Sequence, residues 1–352
     1  MPSTASSPSL DAAHALFARM TEAERVGQLF MVDCPSTGVA AGTVQAIEEF
    51  HVGAVILDGT TDASAADISS ITADLENQNP SAAKLFIATD QEGGLVQRLR
   101  GPGFDTIPSA VQQGGMSPAA LRTAARTWGR QLRAAGVTID LAPVLDTVPA
   151  DSTGNPPIGD LDREYGHDPG TVAAHGVAVA QGLADAGVDA TVKHFPGLGR
   201  VAGNTDTTAG VTDSVTTRHD PYVAPFAAAV HAGVPFVMMS TAIYTRIDPN
   251  RPAAFSPTIV TGMLRGDLGF GGIIISDDVG AARQVDAYSI GDRAVAFISA
   301  GGDIVLTVDA TQAGAMTAAV LARVRTSSAF RAQVNAAALR VLEAKAARGL
   351  LS

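Results

Sequence analysis

Residues 186–197 read AGVDATVKHFPG. Ala-Gly is a helix stop, because glycine takes the left-handed conformation that ends a helix at no steric cost. A short apolar run, Ala190 to Val192, follows and ends in Lys193 and His194. Phe195-Pro196-Gly197 then opens a long loop of small and polar residues that runs to Asp213. A buried parallel strand that hands over to a functional loop at its C-terminal end has this form.

The same unit recurs along the chain. Ala-rich amphipathic stretches end in glycine and give way to short β-branched runs at Gly53-Ala54-Val55-Ile56-Leu57, Ala135-Gly136-Val137, Ala232-Gly233-Val234, Gly271-Gly272-Ile273-Ile274-Ile275 and Gly301-Gly302-Asp303-Ile304-Val305-Leu306. Residues 28–32 and 85–89 supply two more strands, making eight that alternate with helices. Continuous apolar runs mean strands buried on both faces. Eight βα units in one chain favour a single (β/α)8 TIM barrel of the α/β class over an open doubly wound sheet. A helix over residues 10–20 precedes the first strand. An added C-terminal helix over residues 330–349 is expected to pack across the barrel. No domain-sized break in composition occurs, so residues 11–352 form one domain behind a flexible N-terminal segment, residues 1–10.

Composition narrows the function. Of 352 residues, 46% are apolar and 17% charged, enough for a large core, and the net charge of −11 argues against nucleic acid or an anionic membrane as partner. The 5% aromatic content points to a small polar site rather than an aromatic groove. No apolar run is long enough to span a bilayer. The sequence as it stands carries no signal peptide and reads as cytoplasmic; removal of an upstream signal would make it a secreted or cell-envelope protein. The single cysteine, Cys34, rules out an intramolecular disulfide and reads as a small core residue near a strand end.

In a barrel the chemistry sits just past the strand C-termini. Those positions hold Asp90-Gln91-Glu92-Gly93-Gly94 with Arg98 nearby, Ala142-Pro143-Val144-Leu145-Asp146, Arg163 in the following loop, Lys193-His194, Met238-Met239-Ser240 and Ser276-Asp277-Asp278. Carboxylates, guanidinium, ammonium and imidazole on one rim suit a neutral, multiply hydroxylated ligand. Each has a plainer reading as well. Asp90 and Asp277 would serve as helix N-caps, Arg98 and Arg163 as surface ion pairs, and Lys193-His194 as a polar brace of the barrel mouth. The seven histidines show no HxH or HExxH spacing, no GxGxxG follows a strand, and no GxSxG surrounds Ser240. No metal and no cofactor is therefore expected.

Taken together, Asp90-Gln-Glu-Gly-Gly-Leu-Val-Gln-Arg98, Ala142-Pro-Val-Leu-Asp146, IGDLDREYGHDP around Arg163, Lys193-His-Phe-Pro-Gly197 and LGFGGIIISDD resemble family 3 glycoside hydrolases, in the branch of bacterial β-N-acetylglucosaminidases. The resemblance runs in order from about Thr21 to the C-terminus. It implies a TIM barrel, retaining hydrolysis of a small saccharide from cell-wall or chitin-type material, and no metal. It also implies Asp277 as nucleophile, with Asp90, Arg98, Arg163, Lys193 and His194 binding the sugar hydroxyls.

One departure stands out. Where the branch carries Asp-Ser-His after KHFPGHG, this chain has Asn204-Thr205-Asp206, and Leu198 replaces the motif histidine. Asp206 then takes the acid/base role if a desolvated carboxyl does the work of the missing dyad. The segment is rich in Gly, Ala and Thr and is expected to be mobile without ligand and to close over the sugar. Three readings stay open at this level: an exo-β-N-acetylhexosaminidase, a β-glucosidase-like or phosphorolytic enzyme on the same scaffold, and a sugar-binding pseudoenzyme. Oligomeric state has no signature in the sequence.

Overall fold

The computed structural model describes residues 8–351. Eight parallel strands form the barrel: β1 (Phe30–Pro35), β2 (Ala54–Asp58), β3 (Phe86–Thr89), β4 (Ile139–Asp140), β5 (Asp189–Phe195), β6 (Phe236–Met239), β7 (Ile273–Ser276) and β8 (Val305–Thr307). Each pairs with its sequence neighbours, and β8 pairs with β1. A bridge between Ile275 and Ile304 closes the last gap, supported by Ser276 N–H donating to Ile304 O at 2.9 Å. A helix follows every strand, from Ala41–Phe50 after β1 to Ala313–Thr326 after β8; the one after β6, Thr258–Asp267, is a π-helix.

Alternation along each strand sorts the core into two layers. Met31, Ala54, Ile56, Phe86, Ala88, Phe236, Met238, Ile273, Ile275 and Leu306 fill the barrel interior. Their neighbours Val32, Val55, Leu57, Ile87, Val237, Ile274 and Val305 face the helices. Phe86 and Phe236 meet edge to face across the interior, ring centres 5.6 Å apart. Cys34 is fully buried at the end of β1, and burial pushes its thiol up to about 11.

Four of the expected helix stops are left-handed glycines: Gly136, Gly187, Gly233 and Gly301. At Gly187, φ is +79°, which a Cβ would strain. Before β2 the left-handed residue is His51, and before β7 it is Gly269.

Three expectations need correcting. The first strand lies later than residues 28–32, because Thr21 and Glu24 form a reciprocal capping box that starts a short helix, Glu22–Gly27, whose C-cap is Gln28. Residues 142–146 do not continue β4. Pro143 has no N–H to donate; past Leu141 the segment makes no further main-chain bond to β3 but still follows β5, with Val144 bridging to Lys193. Of the flexible segment expected over residues 1–10, residues 1–7 lie outside the described residues, while 8–10 open the helix Pro8–Arg19, with Pro8 in its first turn and Asp11 close behind.

The final helix, Ser328–Ala347, lies across the N-terminal ends of the strands. Lys345 Nζ donates to Gln28 Oε1 at 2.7 Å just before β1. Arg348 pairs with Asp189 at the start of β5, Arg340 pairs with Asp303 just before β8, and Val341 enters the interior layer. The end opposite the strand C-termini is thereby stoppered. No described helix is long and apolar enough to cross a membrane.

Candidate active site

A cavity of about 390 Å3 opens at the C-terminal ends of the strands. Its floor is apolar, formed by Ile56, Leu141, Met238 and Leu306 from in or beside β2, β4, β6 and β8. That is one layer of side chains contributed by alternate strands. Asp90, Arg98, Arg163, Lys193, His194, Asp206 and Asp277 all line the walls above it.

The cationic side is built on Glu92, which sits in the hairpin after β3. Arg163 grips it with two bonds, Nε to Oε2 at 2.8 Å and Nη2 to Oε1 at 2.7 Å, and donates Nη1 to Pro157 O at 2.7 Å. Lys193 Nζ lies 2.6 Å from both Glu92 Oε1 and Asp90 Oδ1. Burial would raise the Glu92 carboxyl, but Arg163 and Lys193 outweigh it and hold that group well below the usual carboxylate range. The plainer readings of Arg163 as an ion pair and of Lys193 as a polar brace thus both hold in part, although the Arg163 pair is buried rather than on the surface and both groups face the cavity.

The central wall is His194. Its Nδ1 lies 2.6 Å from Asp146 Oδ2, and Asp146 Oδ1 accepts the main-chain N–H groups of His194 at 3.2 Å and Leu198 at 2.7 Å. Asp146 is completely buried, so the ring is fixed and Nε2 is left for a ligand. Arg98 Nε is buried with no hydrogen-bond partner among the described residues, an uncommitted donor on the wall.

Asp277 follows β7 directly. Its Oδ1 accepts Asp278 N–H at 2.9 Å. Burial, and after it the charge of Asp206, pushes its carboxyl up to about 6 against the pull of His194 and Lys193. Asp278 also lines the cavity but has other work. Its Oδ1 accepts Gly280 N–H and Val308 N–H, and its Oδ2 accepts Ala281 N–H, so it shapes the loop that carries Asp277.

Asp206 is exposed at the cavity mouth. Its main chain is tied down: Asn204 Oδ1 accepts Asp206 N–H at 2.9 Å, and Arg283 N–H donates to Asp206 O at 3.1 Å. The segment expected to be free is therefore folded against the loop after β7. Neither Asp90 nor Asp277 caps a helix; both spend their oxygens inside the site.

Five contributors were given no role of their own in the sequence reading. Glu92 and Asp146 lie inside motifs already singled out. Asp58 ends β2 and lines the cavity, where the strand-end rule alone would have found it. The shaping role of Asp278 and the contacts of Gln284 described below leave no mark in the sequence.

The family model for the glycosyl hydrolase family 3 N-terminal domain matches residues 21–344. The chain belongs to glycosyl hydrolase family 3. Among curated relatives of this family 3 hydrolase, a protein named beta-hexosaminidase from Xylella fastidiosa is 34% identical over 286 residues, covering 79% of this chain and 82% of the relative. Among solved structures, a β-N-acetylhexosaminidase from Beutenbergia cavernae superposes with a TM-score of 0.92 at 48% identity, covering 93% of this chain and 99% of that one. A family 3 β-N-acetylglucosaminidase from a Paenibacillus species gives 0.84 at 30% identity, covering 94% of this chain and 63% of that one. The protein is a glycoside hydrolase, and the cavity at the mouth of its barrel is the candidate active site.

Proposed function

We propose that this hydrolase is a retaining exo-β-N-acetylhexosaminidase that releases terminal N-acetylglucosamine from cell-wall or chitin-type saccharides. Asp277 attacks the anomeric carbon while the glycosidic C–O bond breaks, and the departing oxygen takes a proton from Asp206. Asp206, now a carboxylate, removes a proton from water, which attacks the glycosyl-enzyme and frees Asp277. Asp206 is exposed at the cavity mouth, where a bound sugar would cover it. Asp90, Arg98, Arg163, Lys193 and His194 hold the sugar hydroxyls. The observation that supports this most is that Asp277 and Asp206, on two different loops, line one cavity with the unpaired Arg98 Nε and the free Nε2 edge of His194.

Phosphorolysis is the weaker reading on charge grounds. Asp58, Asp90, Asp206, Asp277 and Asp278 all line the cavity, and Lys193 and Arg163 are already paired with carboxylates. Such a lining accepts neutral water more readily than a phosphate anion. The test is turnover of a panel of aryl β-glycosides, with and without inorganic phosphate. Fastest turnover of the N-acetylglucosaminide, unchanged by phosphate, is the expected result. Preference for the glucoside, acceleration by phosphate, or binding without turnover would each replace it with one of the alternatives named from the sequence.

A further inference from the structure

One residue outside the cavity lining holds both stems of the loop that carries Asp206. Gln284 is 7% exposed and lies in the turn Arg283–Val285, on the same connection as Asp277. Its main-chain N–H donates to Thr205 O at 3.1 Å, next to the bond from Arg283 N–H to Asp206 O. Its side chain reaches the other stem: Oε1 accepts Val211 N–H at 2.8 Å, and Nε2 donates to Val211 O at 3.0 Å. Residues 206–210 are thus a short excursion whose two ends both rest on Gln284. The connection beneath is itself rigid, since Arg293 Nη1 donates at 2.8 Å to the carbonyls of both Val279 and Gly280.

We infer that Gln284 is a positioning residue that sets the place of Asp206 relative to Asp277; this rests on reading Asp206 as the acid/base. Gln284 touches neither the cavity nor the reacting atoms. A primary amide is suited to the task because it offers one acceptor and one donor to the N–H and C=O of a single residue, much as a neighbouring strand would. It fixes the loop before substrate arrives, so the proton donor needs no closing motion to find the leaving group. A misplacement of about 1 Å is enough to cost roughly a hundredfold in rate.

The test compares wild type, Gln284→Met, Asp206→Ala and the double variant. The substrates are 2,4-dinitrophenyl and phenyl β-N-acetylglucosaminide, assayed with and without azide. Met keeps the volume and removes both side-chain hydrogen bonds. Gln284→Met should lower kcat/KM on the phenyl substrate by at least about tenfold and on the dinitrophenyl substrate by less than about threefold, because only the poor leaving group needs the proton. In the Asp206→Ala background the same change should cost under about twofold, since there is no acid left to misplace. Equal loss on both substrates, or the same loss in both backgrounds, overturns the inference while leaving Asp206 its role. Absence of leaving-group dependence and of azide rescue in Asp206→Ala itself removes the acid/base reading and the inference with it. If Gln284→Met does not fold, Gln284→Glu keeps the acceptor, loses the donor, and should show the same leaving-group signature; equal loss on the two substrates in that variant counts against the inference in the same way.

Discussion

His194 takes its orientation from Asp146: the imidazole Nδ1 lies 2.6 Å from one oxygen of a carboxylate that is wholly shielded from water. The other oxygen accepts the N–H groups of His194 and Leu198, so one side chain aims the ring and starts the loop behind it. Asp146→Asn places an amide donor where an acceptor is needed and favours the wrong tautomer. It should lower kcat/KM by about tenfold or more, by the logic of a carboxylate that orients a catalytic histidine. A change of less than twofold would mean the ring holds its place without Asp146.

The raised carboxyl of Asp277 fixes the acid side of the pH profile. Attack requires the carboxylate, so kcat/KM should fall below a pH of about 6. The charge of Asp206 contributes to the upward push. Asp206→Asn removes that charge, and the acid limb measured on an activated substrate should move to lower pH. A limb that stays fixed, or moves upward, would mean it reports another group.

Asp277 and Asp278 are adjacent but separable. Asp277→Asn should abolish turnover with the fold intact. Because the folded pKa of Asp277 is raised, it contributes stability at low pH that is lost as pH rises through about 6. The Asn variant should therefore be more stable than wild type at pH 8, with the gap closing towards pH 4. Asp278→Ala should instead lower the melting temperature, since three main-chain N–H groups lose their acceptor. Near wild-type turnover in Asp277→Ala would reassign the nucleophile.

Arg163 supports the site before it binds anything. Arg163→Ala would leave Glu92 buried with Lys193 as its remaining cation, a change that should destabilise the fold by about 3–5 kcal/mol. Denaturant unfolding measures it. Replacing Glu92 by Gln in the same chain should recover part of the loss, because no uncompensated charge is then buried. Equal stability of Arg163→Ala and wild type would contradict the pairing.

Lys345 gives a second pH signature, at the other end of the barrel. Burial pulls its ammonium down to about 7, so between pH 7 and its unfolded value the unfolded state binds the extra proton. Stability should rise with pH across that window, by up to about 1.4 kcal/mol per unit. Lys345→Met should flatten this part of the curve. Parallel curves for the two proteins would show that Lys345 stays charged in the fold.

The barrel was legible because its signals are local. Gly136, Gly187, Gly233 and Gly301 each end a helix as their sequences imply. Where another residue takes the left-handed turn, as His51 does, the strand is still announced by its apolar run. The rim was legible for the same reason, since residues just past a strand end need only the strand to be found. What stayed hidden is set by contacts between distant segments. Asp146 acts only because residues 142–146 run on beside β5, which brings it to His194. Glu92 acts only once Arg163 and Lys193 meet it. Gln284 finds Val211 across 73 positions of chain, and nothing in the identity of either residue foretells the meeting. The segment from Gly199 to Gly210 reads as free from its Gly, Ala and Thr content because composition reports what a segment can do alone, not what grips it from other parts of the chain.

The stopper at the foot of the barrel has a kinetic meaning. With Val341 and Lys345 beneath and Ile56, Leu141, Met238 and Leu306 as a floor, the well has one doorway. On the exo-acting reading proposed above, a polymer does not thread through: its tip enters, and the severed monosaccharide backs out the way it came. Each turnover would then end with both partners released, and the enzyme would work distributively, shortening many chains by one unit rather than one chain by many. The departing sugar and the next chain end compete for the same entrance, and free monosaccharide should act as a competitive inhibitor.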